Sequence, residues 1–154
     1  MADPFHGTDL YAIDGLLSDE ERMVRDSVSR WVDERWMPIV TQHYRNGTFP
    51  IELSKELGSL GLLGSSLKGY GCPGLSSTIY GLAMEELERG DSGLRSFASV
   101  QGSLCMYPIY AFGSEALKEK FLPKMAAGEL IGCFGLTEPD HGSDPGGMIT
   151  KARK

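Results

Sequence analysis

The sequence is poor in thiols and imidazoles: Cys72, Cys105 and Cys133 are its only cysteines, and His6, His43 and His141 its only histidines, in 154 residues. The cysteines are odd in number and far apart, with no CxxC spacing, which excludes a disulfide framework and a paired-ligand zinc site. No apolar run approaches the roughly 18 residues of a membrane-spanning helix. The opening MADPFHGTDLYAIDGLLSDEE has neither the basic and apolar stretches of a secretory signal nor the Arg-rich character of a transit peptide. A soluble, cytoplasmic protein is the expectation. Basic clusters are missing too: Lys and Arg number 15 against 21 Asp and Glu, a net charge of -6, so nucleic acid is not an expected partner.

What is present is mostly helical pattern. Ser18 and Glu21 form a capping box, and Val24, Val28, Trp31, Val32 and Arg35 recur at helical spacing, predicting a helix from 19 to about 37 that Pro38 interrupts. A second helix is expected from Pro50, burying Ile51, Leu53, Leu57 and Leu60, before Gly61 and Gly64 close it. After an irregular glycine-rich loop, a third carries Ile79, Leu82, Ala83 and Leu87. Asp91 and Ser92 cap a small-residue segment, GLRSFASVQGSLCMYPIYAFG, expected to pack centrally, and Ser114 caps the last helix, with Leu117, Phe121, Leu122 and Met125, ending at Gly128. Only LIGCFGLTE reads as extended, and its strand partners are not in the sequence. An all-α bundle of about five helices is therefore predicted.

Several constellations were weighed on chemistry. Gly69 to Gly74 match GxGxxG, but no buried strand precedes them, so a helix-to-helix loop is the better reading. Ser143, His141 and Asp144 are near neighbours on a glycine-rich turn and point apart, which disfavours a hydrolytic triad. Trp31, Trp36 and Tyr44 at helical spacing read as core rather than a stacking platform. Arg95 stands in an otherwise small and apolar stretch where a guanidinium needs an anionic partner; the residues alone leave a ligand and an internal pair with Glu88 or Asp91 equally open. GLTEPDHGSDPGG (135–147) could direct backbone amides and hydroxyls at an acceptor-rich ligand, although its composition alone favours a polar surface loop.

That run resembles the first signature of the flavin-dependent acyl-CoA dehydrogenases, departing only at His141, where small residues or Asn are usual. Upstream, ELERGDSGLRSFASVQGSLCMYPIYAFGSEALKEKFLPKMAAGELIGCFGLTEP is similar to the glutaryl-CoA-oxidising branch of that family, and the likeness runs from about residue 10 onward. The resemblance implies an N-terminal helical domain over 1–128 and the opening of a truncated β-domain over 129–154. FAD is the implied cofactor, with Phe134, Gly135, Leu136, Thr137, Gly142 and Ser143 as its contacts. Arg95 and Ser96 match the pair that receives a substrate's distal carboxylate; Glu88 would tune Arg95, Ser99 and Leu104 would wall the acyl pocket, and Ser143 would also face the CoA side.

No position matches the family's catalytic glutamate, so no catalytic residue is assigned and the chain alone is expected to be inactive. The implied reaction oxidises glutaryl-CoA, with or without decarboxylation to crotonyl-CoA, in a homotetramer that passes electrons to an electron-transfer flavoprotein. Another acyl-CoA dehydrogenase and a non-catalytic helical interaction module are the alternatives.

Overall fold

The computed structural model describes residues 10–153. Ser18 caps α1 (Asp19–Trp31): its Oγ accepts the Glu21 N–H at 3.3 Å, while the Glu21 carboxylate accepts the Ser18 N–H at 2.8 Å. Val28, Trp31 and Val32 are buried along the predicted stripe, but Arg35 points outward. Pro38 does not interrupt this helix. A π-helical turn, Val32–Trp36, leads straight into α2 (Met37–Asn46), with Pro38 as its second residue. The wider turn moves the carbonyl that a proline ring would otherwise strike, so the proline is absorbed rather than helix-ending. Gly47, at φ 63°, closes α2.

The expected second helix begins as a 3-10 turn, Ile51–Leu53, before α3 (Ser54–Ser59). Leu53 and Leu57 are buried, whereas Ile51 is exposed. The glycine-rich stretch that follows contains a small hairpin, β1 (Lys68–Gly69) against β2 (Cys72–Pro73), where the sequence predicts a plain loop. Tyr70 and Gly71 form its two-residue connection at φ 53° and 82°, the signs a type I′ turn demands. The GxGxxG letters therefore lie on this hairpin, and no strand delivers them to a helix start.

Ser76 caps α4 (Ser77–Gly90), and Asp91 caps α5 (Ser92–Ser99) by accepting the Leu94 N–H at 3.0 Å. Asp91 itself is extended, at φ -173° and ψ 135°, so α4 and α5 meet at an elbow rather than as one helix. A second π-helical turn, Val100–Met106, joins α5 to α6 (Tyr107–Phe112), again just before a proline, Pro108. Ser114 caps α7 (Glu115–Ala126). On that helix Leu122 and Met125 are buried, but Leu117 is exposed.

Two apolar clusters hold the bundle. The first joins Val28, Val32 and Trp36 to Leu57, Leu87 and Leu94; the second joins Leu67, Cys105 and Met106 to Leu122 and Met125. Trp31 and Trp36 are thus core residues as expected, while Tyr44 is 84% exposed and belongs to no core. Among the described residues no helix is long and apolar enough to cross a membrane.

The end of α7 docks closely on α3. A Cβ on Gly58 would lie 2.6 Å from the Ala127 backbone. One on Gly128, at φ 71°, would lie 2.2 Å from the Ser54 carbonyl oxygen, and the Ser54 hydroxyl donates to the Gly128 carbonyl at 2.9 Å. Gly128→Ala combines a left-handed backbone with a backbone clash. It is expected to destabilise the domain by roughly 2–4 kcal/mol, read as a lower urea midpoint at unchanged m.

Glu56 joins α3 to the first helix. Arg35 grips it with two donors at 2.6 and 2.9 Å, and the Trp31 indole donates at 2.8 Å. The Arg35 bonds first, and the Trp31 bond second, hold its carboxyl down to about 2. An unfolded glutamate titrates near about 4.3, so this contribution is complete above that pH and is lost as pH falls towards about 2. Wild-type stability should therefore fall more steeply than that of Glu56→Gln across this interval in urea titrations at stepped pH.

Candidate functional site

The elbow between α4 and α5 brings Glu88, near the end of one helix, beside Arg95 on the next. The seven-residue spacing does not need a continuous helix: Gly90 does end α4, and the pair still forms, with Arg95 Nε donating to Glu88 Oε2 at 2.7 Å. Ser92 Oγ donates to Glu88 Oε1 at 2.5 Å, and Arg95 Nη1 reaches Ser99 Oγ at 3.4 Å. The Ser99 hydroxyl in turn donates to the Ser96 carbonyl at 3.2 Å. The Ser92 bond first, and the Arg95 bond second, pull the Glu88 carboxyl below the usual glutamate range.

Of the two Arg95 alternatives, the internal pair with Glu88 forms. The guanidinium has its internal partner on the Nε edge, yet its side chain remains 37% exposed. Among the described residues Nη2 has no hydrogen bond, so one guanidinium donor is left over from these contacts.

Leu104 lies one turn of chain further on, in the π-helical turn, on the wall of an apolar groove of about 480 Å³. Cys105, Ile109, Met125, Ile131 and Phe134 complete the wall that matters here, so the groove joins the α5–α6 segment to the chain leaving α7. Burial first, and the neighbouring Cys133 second, push the Cys105 thiol upward.

The leaving chain has no regular secondary structure from 131 to 137 and no strand partner among the described residues. The backbone N–H groups of 133–137 make no hydrogen bond among those residues, and Phe134, Leu136, Gly135 and Thr137 are exposed. A Cβ on Gly135 or Gly142 would meet nothing within 4 Å. Beyond it the chain turns back on itself: Glu138 and His141 exchange backbone hydrogen bonds at 3.1 Å, and the Glu138 carboxylate accepts the Ile149 and Thr150 N–H groups at 2.9 Å each. Gly142 and Ser143 sit exposed in this turn, and no hydrogen bond joins them to Arg95 or Ser96 among the described residues. Ser143, His141 and Asp144 share no hydrogen bond there either.

Gln101 escaped the sequence reading. Its side chain is 1% exposed and its amide makes three bonds: Nε2 donates to the Leu130 carbonyl at 2.7 Å and the Met125 carbonyl at 3.2 Å, and Oε1 accepts the Gly132 N–H at 2.9 Å. An amide side chain within a small-residue helical segment is the available signal.

The family model described as the acyl-CoA dehydrogenase N-terminal domain matches residues 18–129. Two solved structures of a glutaryl-CoA dehydrogenase from Mycobacterium smegmatis are similar. One, in complex with FADH2, has a TM-score of 0.88 at 55% identity over 90% of this chain and 36% of its own. The other has a TM-score of 0.86 at 60% identity over 88% and 35%. The short-chain specific acyl-CoA dehydrogenase of Megasphaera elsdenii is 41% identical over 126 residues, 79% of this chain and 33% of that protein. The chain belongs to the acyl-CoA dehydrogenase family. It spans about a third of the length of these relatives.

The Ser92 bond makes a direct prediction. In Ser92→Ala the Glu88 carboxyl should titrate at a higher pH than in wild type, because the larger of its two stabilising bonds is gone. The carboxyl carbon shift of Glu88, followed by NMR against pH, reads this.

Proposed function

We propose that this chain is the N-terminal part of an FAD-dependent glutaryl-CoA dehydrogenase. The observation that carries the reading is Arg95: a guanidinium oriented by Glu88 on one edge and open on the other, next to Ser96 and Ser99, in a fold shared with glutaryl-CoA dehydrogenases at 55–60% identity. A fork of donors in fixed orientation suits a carboxylate. On this reading Arg95 and Ser96 receive the distal carboxylate of glutaryl-CoA, Glu88 fixes the guanidinium, and Ser99 and Leu104 bound the acyl chain.

The exit chain fits a flavin. Its unbonded backbone donors over 133–137 suit the polar edge of a flat heterocycle, and the exposed Phe134 and Leu136 suit its apolar surface. Phe134, Gly135, Leu136 and Thr137 would hold the cofactor, while Gly142 and Ser143 would meet it from the turn, with Ser143 also towards CoA. FAD supplies the electron acceptor for oxidation of the acyl thioester. The residues of this chain bind, orient and exclude water, and the proton-abstracting base is assigned to none of them.

Residues 1–128 form the helical domain in this proposal, and 129–154 begin a β-domain that would pair the exit chain. The proposed enzyme oxidises glutaryl-CoA with or without decarboxylation to crotonyl-CoA, assembles as a homotetramer in the cytoplasm and delivers electrons to an electron-transfer flavoprotein. A second reading, a short-chain acyl-CoA dehydrogenase, draws on the 41% identity to the Megasphaera elsdenii protein.

Arg95→Ala separates them. In the purified holoenzyme kcat/KM for glutaryl-CoA should fall about a hundredfold, the scale of losing a charged hydrogen-bonding partner, while butyryl-CoA changes by less than about threefold. Equal losses on both thioesters would support the second reading.

A further inference from the structure

We infer that Gln101 is a positioning residue for the cofactor-binding chain: its buried amide fixes where the backbone leaves α7 and so the path of 133–137. This rests on the proposal that those residues hold FAD. Three facts carry the inference. Gln101 is buried, and every polar atom of its side chain is engaged by backbone that lies 24 to 31 residues further along. Two of its partners, the Leu130 carbonyl and the Gly132 N–H, flank Ile131 where the chain leaves α7, so the amide grips both sides of one residue. Among the described residues the Leu130 carbonyl and the Gly132 N–H have no strand neighbour, so this side chain supplies the hydrogen bonds that a ladder otherwise would.

The surroundings leave the amide little freedom. Gln101 stands in the π-helical turn, which opens the helix between Val100 and Met106, a distortion frequent at functional sites. Gly132 approaches so closely that a Cβ there would lie 2.7 Å from the Cys105 Cβ and 2.9 Å from its Sγ. The exit chain is thus seated on the turn by close contact and oriented by one amide. A shift here would carry Phe134 and the donors of 133–137 with it, and displacements of about 1 Å in a positioned site can cost on the order of a hundredfold.

The test compares Gln101→Leu with Leu87→Ala, a core variant in the other apolar cluster that lowers stability without touching the exit chain. Amide hydrogen exchange at Gly132 and FAD dissociation constants are measured on the purified protein. The expected result is slow Gly132 exchange in wild type, at least about thirtyfold faster in Gln101→Leu, and FAD affinity weakened about tenfold or more in that variant only. Fast Gly132 exchange in wild type overturns the inference without any variant. FAD affinity within about twofold of wild type in Gln101→Leu, or an equal loss in Leu87→Ala, overturns it as well. Wild type that protects Gly132 yet binds no FAD counts against the proposed cofactor site and not against the clamp, which the exchange of Gly132 reads by itself.

Discussion

Gly90 has no side chain, and the bundle is organised around that. A Cβ there would stand 2.8 Å from Val32 Cγ1 and 3.2 Å from Trp36 Cδ1, both in the π-helical turn of the first helix. The close approach seats the end of α4 on that turn and gathers Val28, Val32 and Trp36 with Leu87 and Leu94 into one cluster. Because α4 stops there and Asp91 is extended, α5 starts in a new direction with its own cap. The Glu88–Arg95 pair, with Ser92 and Ser99 on either side, is a product of that elbow.

The two π-helical turns play parallel roles. Each precedes a proline and keeps a long helix continuous, at Pro38 where the sequence predicts an interruption and at Pro108 within a segment expected to be one helix. Each also marks a place where something must fit closely: Gly90 against the first, Gly132 against the second. A widened turn redirects side chains by a fraction of a turn, which is how Gln101 comes to reach chain that a regular helix would present differently. At the second turn this joins the groove walled by Leu104 and Phe134 to the exit chain, so Arg95 and the proposed flavin segment belong to one helical run and its immediate neighbour.

Much of this was legible in order along the chain. The caps at Ser18, Asp91 and Ser114 are local chemistry, and each forms as its sequence states. The apolar stripes placed Val28, Leu57, Leu87 and Leu122 in the core. Ile51, Leu117 and Tyr44 obey similar spacing but face outward, since a period identifies a face and not what covers it. The hairpin at Tyr70 was hidden because its two-residue strands are too short to show alternation, and the turn places a tyrosine at a positive φ usually left to glycine.

Local order therefore determined the helices, their starts and the residue types able to meet a carboxylate or a flavin. Packing decided the rest: which partner Arg95 takes within the chain, that Pro38 is carried inside a helical run, and that a single amide at Gln101 orients the chain leaving α7. The physical reason is range. Capping and periodicity act over three or four residues, whereas the contacts of Gly90 with Val32, Gly128 with Ser54 and Gln101 with Gly132 join positions dozens of residues apart, where no pattern along the sequence records which groups will meet.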